Sequence, residues 1–179
     1  QIVPAADVSE HISMAGTEAS GTGSMKFAMN GALTIGTHDG ANIEIMEEVG
    51  RENVFLFGLQ VEEIRQMHER GSYHPRTYYH CNPDIRRLMD TFVSGLFCPD
   101  EPGRFRWIYE AVLDRGDPYF HLADLESYIE TQERVAQAFK DPAVWACKAI
   151  LNVARTGKFS SDRAIAEYAR EIWNIKPIL

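Results

Sequence analysis

Long apolar runs are missing from this 179-residue sequence. A bilayer-spanning helix needs about 18 or more consecutive apolar residues. No stretch approaches that length, so no membrane association is expected. Cysteine is scarce: Cys81, Cys98 and Cys147 are odd in number and widely spaced, and no CxxC pair occurs. That argues against a disulfide framework or a cysteine-built metal site and predicts free thiols in the reducing cytoplasm. Positive charge is also short, with 18 Lys and Arg against 26 Asp and Glu and a net charge of −8. A nucleic-acid surface needs a basic face, so nucleic acid is not an expected partner, although a small basic pocket for an anionic ligand remains compatible. No basic segment followed by an apolar one opens the chain, so no secretory signal is read. The first residue is Gln1 rather than Met, and "QIVPAAD" reads as a strand running into a loop. A strand with no element before it predicts that the chain is a piece of something longer.

What is present divides near residue 60. Residues 1–59 hold more than half of the thirteen glycines and three strand-length apolar runs, "QIV", "GALTIG" and "NVFLFG". Between the last two, "ANIEIMEEVGRE" repeats Ile43, Met46 and Val49 at helical spacing. Strand, helix and strand at this length form a βαβ unit with parallel strands. From residue 60 the pattern is helical. "VEEIRQMHERG" puts Val61, Ile64 and Met67 on one face and stops at Gly71. "NPDIRRLMDTFVSGLF" starts with Asn82 as N-cap and Pro83 at the first helical position. "RFRWIYEAVLDRG", "LADLESYIETQERVAQAFK", "AVWACKAILNVAR" after Asp141-Pro142, and "SSDRAIAEYAREIWN" follow. The fold class is therefore α/β, the end of a parallel sheet followed by a mostly α-helical segment.

The stretch "EASGTGSMKF" carries the chemistry. Glycines permit positive φ and close approach of backbone to a ligand. A glycine loop opening onto a helix presents unpaired N–H groups and the positive end of the helix dipole, which suits an anion. Thr22 reads either as the N-cap or as a group that bonds an anion itself, and Lys26 is placed in the first helical turn. A cation there opposes the dipole, unless the amine is neutralised as an imine or an anion sits between. The features together suggest a lysine joined to an aldehyde cofactor that carries a phosphate, such as pyridoxal 5'-phosphate. A tight turn beside a surface lysine is the plainer alternative. The GK[ST] ending of a phosphate-binding P-loop is absent, as is the third glycine of the dinucleotide fingerprint.

The run "SEHISMAGTEASGTGSMKFAMNGALTIGTHDGANIEI" resembles the cofactor-lysine region of the α-glucan phosphorylases, and "ENVFLFG" and "GKFSSDRAIAEYAREIW" extend the likeness over essentially the whole chain. The resemblance implies the C-terminal part of a Rossmann-like domain of a GT-B type glycosyltransferase. Residues 1–59 would be the end of that domain with the lysine loop, and residues 60–179 its helical remainder. It implies that Lys26 forms the Schiff base with pyridoxal phosphate, and that Gly21, Thr22 and Gly23 surround the cofactor phosphate. Glu18 would bond sugar hydroxyls, with Ala19, Ser20 and Gly21 lining the same subsite. The implied partners are α-1,4-glucan and inorganic phosphate, giving α-D-glucose 1-phosphate, in a parent that is a cytoplasmic homodimer. The piece alone is expected to be inactive, because the other wall of the site lies outside it. A non-catalytic α/β module without cofactor is the competing reading. Outside the loop, Asp39 and Asn42 read as a turn and helix N-cap, and His11 as structural. Arg86-Arg87 and Arg104/Arg106 read as solvated helix faces, and Trp107, Tyr109, Tyr119 and Phe120 as core. No metal site is expected.

Overall fold

The computed structural model describes residues 2–176. Three strands, β1 (Val8–His11), β2 (Leu33–Thr37) and β3 (Phe55–Phe57), form one parallel sheet in the order β1-β2-β3. Val8 lies opposite Leu33 and Ile35 opposite Phe55. Helix α1 (Thr22–Met29) connects β1 to β2, and α2 (Gly40–Val49) connects β2 to β3. The expected βαβ unit is therefore present, and a second one precedes it. The expected first strand is not where "QIV" placed it: Val3–Ala5 form a single 3-10 turn, and Gln1 lies outside the described residues. Pro4 explains the shift, since it presets a turn-compatible φ and has no N–H for a ladder. The strand instead uses "VSEH", whose polar residues hid it.

Every residue of β2 is buried, as a central parallel strand with both faces covered must be. On one face Leu33, Ile35, Phe55 and Phe57 pack against Val135 of α7 (His121–Phe139) and Trp145 of α8 (Pro142–Arg155). On the other, Ala28 of α1 and Ile45 and Val49 of α2 meet Val54 and Leu56. The buried row of α2 is Ala41, Asn42, Ile45 and Val49, whereas Ile43 is exposed. The apolar stripe read from the sequence is thus turned by about one residue, roughly a quarter of a helical turn, with Val49 common to both. Gly36 decides that docking: a Cβ there would stand 2.4 Å from Asn42 Nδ2. Its absence lets Asn42 lie on the strand and donate to the Thr37 carbonyl at 3.1 Å.

The helices beyond residue 60 start where their caps dictate. In α3 (Val61–Arg70), the Gln60 and Glu63 side chains form a reciprocal capping box and Gly71 closes the helix at φ +57°. Asn82 Oδ1 accepts from the amides of Asp84 and Ile85 at the start of α5 (Pro83–Thr91). Asp141 Oδ1 does the same for α8. Between α3 and α5 lies α4 (Pro75–Cys81), a short helix the sequence reading missed although Pro75 occupies its first turn. Helix α5 ends at Thr91, well before Phe97, and "RFRWIYEAVLDRG" resolves into α6 (Arg106–Tyr109) running into a π-helical turn, Glu110–Asp114. The last segment is α9 (Ser161–Glu167) followed by another π turn, Tyr168–Ile172. Of the four aromatics expected in the core, Phe120 is buried and Tyr109 packs at the edge of a helical cluster, whereas Trp107 and Tyr119 are exposed.

The turn into α7 is held by one carboxylate. Asp117 is 1% exposed and adopts φ +45°, and Phe120 follows at φ +57°. Asp117 accepts from Tyr73 Oη (2.6 Å) and the Leu122 amide (2.9 Å), and its other oxygen lies 2.8 Å from His121 Nδ1. Burial pushes the Asp117 carboxyl up, but these bonds outweigh it and hold it below the ordinary aspartate range. The Asp117 hydrogen bond raises His121. Asp117→Asn should cost about 2 kcal/mol in denaturant unfolding, because at least one buried donor loses its acceptor. The Asp117 contribution is complete above about pH 4, where the unfolded carboxyl is ionised, and disappears as pH falls through its depressed folded value. The His121 contribution is complete below about pH 6.5 and disappears as pH rises through its raised folded value. The stability gap between wild type and variant is therefore expected to be widest between those limits and to narrow on either side.

Candidate functional site

The loop from Ile12 to Gly21 leaves the carboxyl end of β1 and enters α1. Its middle is pinned from below: Ala15 is buried with Ile64 of α3 and Phe120. Its entry is fixed by Thr37 Oγ1, which donates to the Ser13 carbonyl at 2.7 Å. Its end is Gly21, in the left-handed region at φ +59°. A Cβ on Gly21 would stand 2.3 Å from Ala41 Cβ, so glycine is required both for conformation and for space. Gly21, not Thr22, is the N-cap of α1. Thr22 is the first helical residue, and the buried Ser24 hydroxyl donates back to the Gly21 carbonyl at 2.7 Å.

The first intrahelical bond of α1 runs from the Met25 amide to the Gly21 carbonyl. The amides of Thr22, Gly23 and Ser24 therefore precede the ladder and have no partner within the helix. Thr22 and Gly23 are exposed while Ser24 and Ala28 are buried. Lys26 is exposed as well and belongs to the last turn of this eight-residue helix, not the first. The tension with the helix dipole is thereby removed, since cations are favoured at that end. Three and four residues after Gly23 and Thr22, Lys26 shares their face. Because Cα–Cβ bonds tilt toward the helix start, its stem leaves the helix over the exposed first turn.

Glu18 is the other fixed group. Its Oε2 accepts from Ser13 Oγ at 2.9 Å and its Oε1 from the Gly21 amide at 3.0 Å. The Ser13 bond, then the Gly21 bond, hold its carboxyl below the ordinary glutamate range, so it is an ionised acceptor at neutral pH. Both oxygens keep spare lone pairs, and Glu18 is bonded to Gly21 rather than to Lys26. Ala19 and Ser20 between them are exposed. His11, read as structural, is half-buried with Nε2 2.7 Å from Ser9 Oγ, and its ring lies against the start of α1 at Gly23. Burial lowers its pKa and the Glu18 charge opposes that.

Asp39 corrects the sequence reading most. It stands at the N-cap position of α2, yet its side chain caps nothing there. It is buried, and Oδ2 accepts from the amides of Thr17 (3.0 Å) and Glu18 (2.7 Å), 22 and 21 residues away. The "DG" pair gave a turn signal that masked this. No local pattern announces a carboxylate whose donors lie on another loop. The hollows of about 200 Å³ beside Tyr119 and Tyr128 and about 350 Å³ between α5 and α7 are lined by other residues. Glu18, the Gly21–Gly23 turn and Lys26 form an open ledge at the carboxyl end of the sheet. Among the described residues no group of histidines, cysteines and carboxylates could hold a metal ion, and no helix is long and apolar enough to cross a membrane.

The fold and the ledge together define a parallel α/β unit presenting an exposed helix start with a lysine on the same face. Comparison with known proteins makes this specific. A model of the family described as carbohydrate phosphorylase matches residues 1–175. Glycogen phosphorylase of Synechocystis sp. is 54% identical over 179 residues, all of this chain and 21% of its own length. That of Chlamydia trachomatis serovar D is 53% identical over 174 residues, 97% of this chain and 21% of its own. The human muscle form is 50% identical over 177 residues, 99% and 21%. The chain belongs to the carbohydrate phosphorylase family, and it spans about a fifth of the length of these relatives.

Proposed function

We propose that this chain is the cofactor-lysine segment of a pyridoxal-phosphate-dependent α-glucan phosphorylase, which transfers the terminal α-1,4-linked glucose of a glucan to inorganic phosphate. The observation that carries the reading is the exposed first turn of α1, where the amides of Thr22 and Gly23 have no partner among the described residues and Lys26 follows on the same helical face. That donor set fits a phosphorylated aldehyde: amides and the helix dipole for the phosphate, a primary amine for the carbonyl carbon. When bound, the coenzyme's phosphate, with a second pKa of about 6, supplies a proton donor and acceptor near neutrality.

The chain's own residues bind and orient. Thr22 and Gly23 fix the anion through backbone N–H groups, and Lys26 tethers the ring end. Glu18, ionised and held on both oxygens, accepts from sugar hydroxyls and orients the glucosyl unit, with the exposed Ala19 and Ser20 and the buried Gly21 beside it. An open ledge positions only one side of such a substrate. Catalysis by positioning needs the opposite side as well, so the segment is read as acting within a polypeptide of its relatives' length. It would form the C-terminal part of a GT-B type Rossmann-like domain, with 1–59 the sheet end and 60–179 its helical remainder, in a cytoplasmic homodimer.

Lys26 is one of five lysines in the chain. Incubation with pyridoxal phosphate, borohydride reduction and peptide mapping should place the label on Lys26 in preference to the other four. Labelling scattered over all five would remove the preformed cofactor site from the reading.

A further inference from the structure

The segment "THDGAN" is more than the turn between β2 and α2. Thr37 holds the Ser13 carbonyl, and Asp39 Oδ2 takes the amides of Thr17 and Glu18. Gly40, at φ +45°, leaves room for the Glu18 side chain, whose Cβ and Cγ would lie 3.2 and 3.1 Å from a Cβ on residue 40. Ala41 closes against Gly21, and Asn42 ties the Thr37 carbonyl to the start of α2. Every one of these contacts bears on the loop that carries Glu18, or on the segment that holds it. None bears directly on Thr22, Gly23 or Lys26.

We infer that Asp39 is a positioning residue for the glucosyl unit: its carboxylate fixes the backbone of Glu18, and so the place where Glu18 meets the sugar. This rests on the sugar-orienting role proposed for Glu18. The physical reason is that a loop residue reaching for a substrate needs its own backbone held. One buried carboxylate oxygen accepting two amides makes two charge-assisted bonds, which are shorter and stronger than neutral ones. Glu18 also bonds the Gly21 amide, so the same support limits drift at the entrance to α1. The division of labour is then spatial. Asp39 sets the sugar side of the ledge, and the first turn of α1, whose N-cap Gly21 closes on Ala41, sets the anion side.

The test uses the full-length polypeptide carrying this segment, loaded with pyridoxal phosphate. Asp39→Asn preserves shape and removes the charge. KM for glucan should rise about tenfold, the scale of one hydrogen bond to a charged group. KM for inorganic phosphate and the bound-cofactor absorbance should stay as in wild type. Gly40→Ala, which presses on the Glu18 side chain and leaves the Asp39 carboxylate in place, should shift the same constant in the same direction. In a Glu18→Gln background Asp39→Asn should add little, because coupled residues are not additive. Unchanged glucan KM in both Asp39→Asn and Gly40→Ala, alongside a loss in Glu18→Gln, would overturn the inference and leave the functional reading standing. Equal losses for glucan, phosphate and cofactor would overturn it as well, by showing a general structural role. An unaffected Glu18→Gln enzyme would instead remove the sugar role of Glu18, and the inference with it.

Discussion

Lys26→Arg in the full-length polypeptide is expected to lower glucose 1-phosphate release from glucan and phosphate by at least about 100-fold, with pyridoxal phosphate in excess. Arginine keeps the positive charge, the helix propensity and the reach of lysine, and Lys26 is exposed near the end of α1. Stability should therefore move by no more than about 0.5 kcal/mol. What arginine lacks is a primary amine: the guanidinium does not deprotonate in proteins and cannot hold an aldehyde covalently. The loss thus isolates tethering from charge. Thr22 and Gly23 still offer their amides, so weak non-covalent retention of the coenzyme should persist and be measurable by fluorescence titration. Full turnover in the variant would mean that the tether is dispensable, and the role assigned to Lys26 would fall.

Gly21→Val is expected to have the largest effect on the fold of the ledge. At φ +59° a β-branched residue is strained. Its Cβ would also start 2.3 Å from Ala41 Cβ and 3.3 Å from the Ala41 amide nitrogen. The flexible end of a side chain could yield, but Ala41 is buried backbone and methyl at the start of α2, so the two helices must separate. Strain and overpacking together should cost about 4 kcal/mol, read as a lower denaturant midpoint. Because Gly21 also donates to Glu18 and caps α1, selective labelling of Lys26 should be lost even under conditions where the variant is still folded. Gly71→Val provides the contrast. Gly71 has a similar φ of +57° but nothing within 4 Å of a Cβ, so that change should cost only the backbone strain and leave labelling intact.

Much of the architecture was legible because its signals are local. Asn82-Pro83, Asp141-Pro142 and Gly71 mark helix ends through bonds and dihedrals contained within a few residues, and "GALTIG" marks a strand as a short, mostly apolar run bounded by glycines. The strand "VSEH" was not legible. Its ladder partner, Leu33–Gly36, supplies the backbone bonds that its own side chains do not advertise. Helix α4 was too short for a periodic pattern to emerge over "PRTYYHC".

The site divides in the same way. The residues from Glu18 to Lys26 stand close together in the chain, so their type and spacing were enough to suggest an anion-binding helix start with an amine beside it. The exact start of α1 was not, because the choice between Gly21 and Thr22 as N-cap depends on Ala41, which approaches from another helix. Sequence also carried no sign that Asp39 and Glu18 are partners. The donors of that carboxylate lie 21 and 22 residues away, across β2. By itself the sequence determined which groups this protein has for chemistry. Tertiary packing of α2 on the β1 loop decided where they stand, because hydrogen bonds between distant segments form only after the sheet has brought their backbones together.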